Sequence, residues 1–404
     1  MATKRKATLD GGRIDMTGSD VLIVGGGVTG CAAAYHLARE GHAVTLIERY
    51  APAAMASGWT PAGVRQSARD PAELPLARAA VDLWSTLDEE LDDATGYRRK
   101  GNLRLARTGG EVEIIRDLVA AQREAGLDLR FLESNDAIRE IAPAVAPTVL
   151  AASFCPTDGH ADPHATVTAF RRAAERHGAV FRLGENVQSI EVSRGAVRGV
   201  TTDSGRIGCD ICVVAGGVRS NDLLGGLSLD VPMRMMMTTI IQSDPIPPLL
   251  DQVLGAATAN FAARQQIDGR MRVSGGSRRW HGVIEEGARP VVRPTFDAVA
   301  ATIKVGAAAL PALRDLRISR FWTGLIDLTP DGLPVIEAAP EVDGLIIACG
   351  FSGHGFGIAP VTGLVLRDLA LGDPPRLPLD AFRRARFADF PEDGEWNSPL
   401  SLLG

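Results

Sequence analysis

Cysteine is scarce in this chain: five in 404 residues, at positions 31, 155, 209, 212 and 349. Only Cys209 and Cys212 form a C-x-x-C, and no second pair completes a zinc or iron–sulfur set. The pair opens the apolar run CDICVVAGG and reads as two thiols buried on a strand, so no metal site is expected. An odd number of cysteines without disulfide spacing fits a reducing cytoplasm, the expected location. An unbroken apolar run is missing too. The most apolar stretch, VLIVGGGVTGCAAAYHLA, is interrupted by glycines and a histidine and makes a poor membrane span. The basic residues of MATKRKATLDGGRIDMTGSD are followed by no apolar h-region, so residues 1–18 read as a loose leader and not as a signal peptide. Positive charge is not in excess. The net charge of −6 argues against nonspecific nucleic-acid binding. Internal repeats and low-complexity blocks are absent.

Glycine, in contrast, is abundant, with 44 residues, and its clustering carries the information. The length suggests about two domains. The segment 20–49, DVLIVGGGVTGCAAAYHLAREGHAVTLIER, reads as strand, glycine turn, helix and strand, a βαβ unit. Val21 to Val24 form a continuous apolar run, as in a parallel strand buried on both faces. Helices are expected over 73–92, 111–126, 134–141, 162–178, 293–309 and 357–371. Asp162 can cap the fourth of these, Pro163 suits its first turn and Gly178 ends it. YRRKGNLRLAR reads as a strand pair, and GLIIACG as one more buried strand. From about Val231 the strands VPMRMMMTTIIQSD and MRVSGGS read as a different sheet. The nucleotide-type fold is therefore discontinuous. The expected division is a leader at 1–18, a cofactor domain from 19–95, 150–230 and 320–380, a substrate domain from 96–149 and 231–319, and a tail at 381–404.

Gly25, Gly27 and Gly30 form G-x-G-x-x-G between the first strand and helix. The first permits the tight turn, the second lets backbone approach a pyrophosphate, and the third lets helix pack on strand. The helix N-terminus offers unpaired N–H groups to that anion. Glu48, about 20 residues on, ends the second strand and can accept bonds from ribose hydroxyls. Arg49 and the loop MASGWTPAGVRQ, with Ser57, Gly58, Gly63, Val64 and Arg65, favour FAD over NAD, because a flavin ring needs a contact region far from its adenine.

The second glycine cluster is CGFSGHGFGIAP, with Gly350, Gly353, Gly355 and Gly357 between a buried strand and the last helix. In open α/β sheets, ligands sit at the C-terminal ends of strands. Glycines there keep Cβ atoms away from a ring, and amides at a helix N-terminus stabilise the negative charge of a reduced flavin. His354 lies inside the loop and is a candidate for flavin or substrate contact.

Taken together, the G-x-G-x-x-G turn with Glu48–Arg49, ASGWTPAGVRQ, TPDGLPVIE and CGFSGHGFGIAPVTGLVLRDL resemble the D-amino-acid oxidase superfamily of FAD-dependent oxidoreductases. Within it they are most similar to the branch of sarcosine oxidase β-subunits and D-hydroxyproline or opine dehydrogenases. The likeness spans residues 20 to about 372. It implies an α/β Rossmann-like cofactor domain of the glutathione-reductase type, with a β-sheet-based α+β substrate domain. It also implies an enzyme that oxidises a C–N bond of a small or N-substituted amino acid, often as a hetero-oligomer subunit. The implied FAD contacts further include Val28, Thr29, Val187, Ala215, Gly216, Gly324 and Phe356. The segment AGGVRS, residues 215–220, departs from an aromatic common in relatives. No cysteine follows the pattern of a covalent FAD link, so noncovalent FAD is expected.

The substrate carboxylate needs a cation beside the flavin, and Arg65 is the leading candidate because arginine pairs with carboxylate bidentately. Thr238, Thr239, Met235 and Met237 lie on a candidate strand of the second domain and are read as pocket or core. His164, in DPHATVTAF, is similar to the histidine that carries a second flavin, FMN, in the β-subunit of heterotetrameric sarcosine oxidase. FMN at a subunit interface is one reading of His164, and a plain helix start is the other. The expected reaction is hydride transfer from substrate carbon to flavin N5, without an obligatory base, giving an imine that hydrolyses. Rival readings are a flavin-dependent 2-hydroxy-acid dehydrogenase, a non-catalytic FAD-holding relay subunit and a nicotinamide dehydrogenase.

Overall fold

The computed structural model describes residues 16–391 and Trp396. Five parallel strands form the centre of an eight-stranded sheet, in the spatial order Leu345–Cys349, Gly205–Val214, Met16–Val24, Val44–Glu48 and Val180–Leu183. Val335–Ala338 adds an antiparallel edge, and the hairpin Val187–Ser193 with Ala196–Thr202 feeds into the strand Gly205–Val214. The apolar run at the start behaves as a parallel strand should. Val21 and Ile23 pack into the core under the helices, while Leu22 packs with Val187, Val197 and Leu345 on the opposite face. The helices on the first face are Val28–Arg39, Pro163–Arg176 and Gly355–Leu371. Small residues let them approach closely: a Cβ on Gly363 would run into Ala32 of the first helix.

The second sheet has nine strands. Its order is Arg278–Arg279, Arg234–Pro245, Arg270–Gly275, Phe261–Gln265, Val253–Ala256, Asn102–Ala106, Ala151–Cys155 and Arg130–Leu132, with Ile318–Leu328 also paired to Arg234–Pro245. Successive side chains alternate between its faces. Thr238, Ser274 and Gly324 face the large cavity between the two sheets. Met237 and Thr239 face the opposite side, toward helix Phe296–Ala309.

The sequence-based division needs three corrections. Ala151–Cys155 and Ile318–Leu328, assigned to the cofactor domain, are strands of the second sheet. The first pairs antiparallel with Asn102–Ala106, and the second runs the length of Arg234–Pro245. A strand's own apolar pattern does not say which sheet it joins. The first strand begins at Met16, inside the expected leader, and pairs there with Ile207; residues 1–15 lie outside the described residues. In YRRKGNLRLAR only Asn102–Ala106 is a strand, and Arg98 makes an isolated bridge to His160. Of the expected tail, 392–395 and 397–404 lie outside the described residues. The rest is docked on the cofactor sheet, with Phe382 buried, the Arg384 amide bonded to Glu337, and Arg386 paired to Asp331 at 2.7 Å. Among the described residues, no helix is long and apolar enough to cross a membrane, and no three side chains cluster as metal ligands.

Candidate active site

The glycine turn sits at the C-terminal end of the central strand. Gly25 has φ 114, a conformation that disfavours side chains, and a Cβ there would collide with the Ala215 carbonyl. Gly27 is the N-cap of helix Val28–Arg39, and the Val28 amide is met by Ser57 Oγ at 2.9 Å. Glu48 accepts from the Gly26 amide at 2.5 Å and the Tyr50 amide at 2.7 Å. Burial pushes its carboxyl pKa up, and those two amides oppose the shift. Glu48, Asn186, Val187 and Gly216 line one end of the cavity.

At the other end, the cavity meets the second glycine cluster. Gly350, Ser352 and Gly353 all have positive φ, so the chain coils tightly between strand Leu345–Cys349 and the last helix. Asp327, from the second sheet, holds this coil. Its carboxylate accepts the Gly350 amide at 2.9 Å, and burial raises its pKa to about 6. His354 is the N-cap of the last helix. Its Nδ1 lies 2.8 Å from Glu73 Oε1 and its Nε2 3.2 Å from the Gly332 carbonyl. Both ring nitrogens are thus engaged by protein. His354, the candidate for flavin or substrate contact, lines the cavity, with its ring nitrogens set against Glu73 and Gly332.

Arg65 lies between these ends. It is 6% exposed, lines the cavity, and its guanidinium makes no hydrogen bond or ion pair among the described residues. Arg69 and Arg104, also buried, stand close enough to repel it, while Glu73 and Asp158 attract it. Burial, more than either neighbour, lowers the Arg65 pKa well below its usual value. The Asp158 carboxylate already receives the Gln66 amide at 2.9 Å and the Ser67 hydroxyl. Three guanidiniums facing two carboxylates leave this corner short of negative charge, a costly arrangement without an anion.

Of the residues expected at the cofactor, Gly25, Gly27, Val28, Thr29, Glu48, Arg49, Ser57, Gly63, Arg65, Val187, Ala215, Gly216, Gly324, Gly353, His354, Gly355 and Phe356 line this one cavity. Five do not. Gly30 and Gly58 pack against the Gly25 and Ala53 carbonyls, Val64 is core, Gly350 is tied to Asp327, and Gly357 packs on Gly63. Sequence reasoning missed Asp327, Arg69, Asn102 and Tyr50 in the lining. Thr238 lines the cavity, donating to the Gly275 carbonyl at 3.1 Å. Met235 is exposed.

One cavity is lined both by a glycine turn at a helix N-terminus and by a second glycine coil, the two features a dinucleotide site requires. The sequence model of the FAD-dependent oxidoreductases known as DAO matches residues 20–369. The chain belongs to this family. It is an FAD-dependent oxidoreductase with the mixed α/β architecture of solved members. It is similar to the sarcosine oxidase β-subunit of Rhizobium meliloti, 26% identical over 91% of this chain and 88% of that one. It is also similar to glycine oxidase of Bacillus licheniformis, 29% identical over 91% of this chain and 97% of that one. Among solved structures, L-proline dehydrogenase of P. horikoshii superposes with a TM-score of 0.85 at 27% identity, covering 92% of this chain and 98% of that one.

His164 stands apart from the flavin cavity's lining. It is exposed at the start of helix Pro163–Arg176, against Gly58, whose Cβ would meet its ring. Partial burial lowers its pKa, and Arg289, Arg272 and Arg320 lower it further against the pull of Asp162.

Proposed function

We propose that the chain oxidises the C–N bond of a small amino acid or N-substituted amino acid whose carboxylate pairs with Arg65. The observation that carries this reading is the unpartnered, buried guanidinium of Arg65 at the cavity wall. A planar bidentate donor in a corner short of negative charge selects a carboxylate. The similarity to enzymes named for sarcosine, glycine and L-proline supports the same substrate class.

FAD, when bound, supplies the hydride acceptor. The residues that fit its noncovalent binding are Gly25 to Thr29 at the pyrophosphate, Glu48 at the ribose, and Gly353 to Phe356 at the ring. Arg65 anchors the substrate carboxylate, which fixes the carbon to be oxidised with respect to the ring. The apolar wall of Ile326 and Phe351 excludes water. No side chain is assigned as an obligatory base, and the imine product hydrolyses in water.

The five buried, unpaired cysteines support a reducing, cytoplasmic setting. The likeness to sarcosine oxidase β-subunits supports work within a hetero-oligomer. A second reading of the surface adds FMN at His164, favoured by an exposed imidazole with Arg272, Arg289 and Arg320 acting on it.

The deciding experiment is anaerobic mixing of the purified protein with sarcosine, glycine, L-proline and D-amino acids, read as loss of flavin absorbance. Arg65→Gln should keep the flavin and raise the KM for the bleaching substrate by roughly a hundredfold, as for a lost charge-assisted pair. Bleaching by 2-hydroxy acids and by no amine would replace the reading. The flavin released by acid, analysed as FAD or FMN, tests the noncovalent and His164 assignments together.

A further inference from the structure

After Arg278–Arg279 pairs with Met236 and Met237, the chain leaves the second sheet. Glu285 and Val291 then exchange both backbone hydrogen bonds, at 2.9 and 3.0 Å, and form a small hairpin whose tip is residues 286–290. The tip does not return to its own sheet. It crosses to the other unit, where the Ala288 carbonyl accepts the Ala51 amide at 3.2 Å. Glu286 receives the Tyr50 hydroxyl at 2.6 Å and Arg219 Nη2 at 2.5 Å, with Arg49 Nη2 at 3.7 Å. Arg49, Tyr50 and Arg219 all line the cavity, and Arg49 and Tyr50 directly follow Glu48. Below the tip, Trp280 and Ile284 pack against the cluster of Met237, Val292, Ala298 and Leu325, on which Trp59 and Val218 also pack. The hairpin therefore bridges both units beside the ribose-binding carboxylate.

Its attachment is of a particular strength. The Glu286 contacts are half-exposed, and such pairs are individually weak. Val292, Trp280 and Ile284 anchor the base of the loop in apolar packing, whereas Val283 and Val291 are exposed and the tip is held by polar contacts alone. Segments held this way open locally at low cost. We propose that the hairpin of residues 285–291, hinged on the packed Trp280 and Val292, is a strap that opens to admit or release FAD, and that Glu286 is its latch, positioning Arg49, Tyr50 and Arg219 over the nucleotide. The proposal rests on the flavin reading of the cavity, and goes beyond it by assigning cofactor retention to a segment of the substrate-side unit.

Two variants test it, with free flavin fluorescence as the readout. Glu286→Ala should speed FAD release from the holoprotein roughly tenfold, the loss of about two weak contacts. Ala51→Cys combined with Ala288→Cys joins the two backbones where they already meet, and the five native cysteines are buried and should not compete. Oxidised, this pair should slow both FAD uptake by apoprotein and release from holoprotein at least tenfold, and reductant should restore both rates. A merely structural contact would change melting and leave the reductant-dependent rates alone. Release from Glu286→Ala at the unaltered rate, or uptake by the cross-linked protein as fast as by the reduced one, overturns the strap. Failure of every form, the unaltered protein included, to bind FAD overturns the flavin reading instead.

Discussion

His354 Nδ1 and Glu73 Oε1 lie 2.8 Å apart where neither side chain reaches solvent, and each residue is the N-cap of a buried helix. The pair fastens helix Leu74–Trp84 to the helix Gly355–Leu371, whose start lines the cavity. His354 and Arg69 hold the Glu73 carboxyl below its usual pKa against the opposing effect of burial, which keeps it an acceptor beside His354.

Burial lowers the His354 pKa, so removing Glu73 leaves a buried, unpaired imidazole donor. Glu73→Ala should lower stability by about 1–3 kcal/mol, while His354→Gln, which keeps a donor, should cost less. Chemical denaturation of the holoprotein measures both. The visible spectrum adds a second check, because Gly353 and Gly355 flank His354 on the cavity wall. A flavin band that keeps its position in Glu73→Ala would mean that the pair does not set the geometry of the coil.

Asp327 makes stability depend on pH. Its pKa is raised by burial to about 6, so the folded protein binds more protons than the unfolded chain between about pH 4 and 6. The stabilisation is complete below pH 4 and is lost as pH rises through 6. The loss approaches 3 kcal/mol from this group alone, at about 1.4 kcal/mol per pH unit. His36 acts in the opposite sense: burial lowers its pKa to about 3, so it costs stability as pH falls below 6.5. The difference between unaltered protein and Asp327→Asn isolates the first effect. The variant should gain relative stability from pH 4 to 7, and parallel melting curves across that range would refute the assignment.

Gly30 and Gly27 belong to one motif but should respond differently to substitution. A Cβ on Gly30 would overlap the Gly25 carbonyl, and neither backbone can retreat. A Cβ on Gly27 would stand 3.0 Å from Ser57 Oγ, a movable side chain. Gly30→Ala should therefore yield protein with little flavin, and Gly27→Ala should bind FAD about tenfold more weakly, as when a backbone contact to phosphate is displaced. The ratio of visible to ultraviolet absorbance after purification separates the two.

The parts of the site that could be read from the chain were those fixed by local backbone geometry. Gly25, Gly27 and Glu48 form a strand–turn–helix–strand arrangement that few other residues can make. Gly353 and Gly355 were readable for the same reason. Glu73 and Asp158 were not. A glutamate at the head of an amphipathic helix has the pattern of a solvated face, and only the folded chain brings it to His354. Asp158 lies 91 residues from the Ser67 it binds. Ile318–Leu328 was placed in the wrong unit because its partner strand is set by tertiary pairing. The hairpin at 285–291 carries no apolar alternation and gave no signal.

The cofactor sheet is threaded late. Its strand Leu345–Cys349 lies beside Gly205–Val214, which in turn lies beside Met16–Val24. During synthesis, the opening βαβ unit therefore keeps one flank of its sheet bare until Gly205–Val214 follows about 160 residues later, and that strand in turn has a bare flank until Leu345–Cys349 follows about 130 residues after it. Prosthetic-group loading becomes an event of the finished polypeptide, and in the interval chaperones face an exposed, aggregation-prone strand edge.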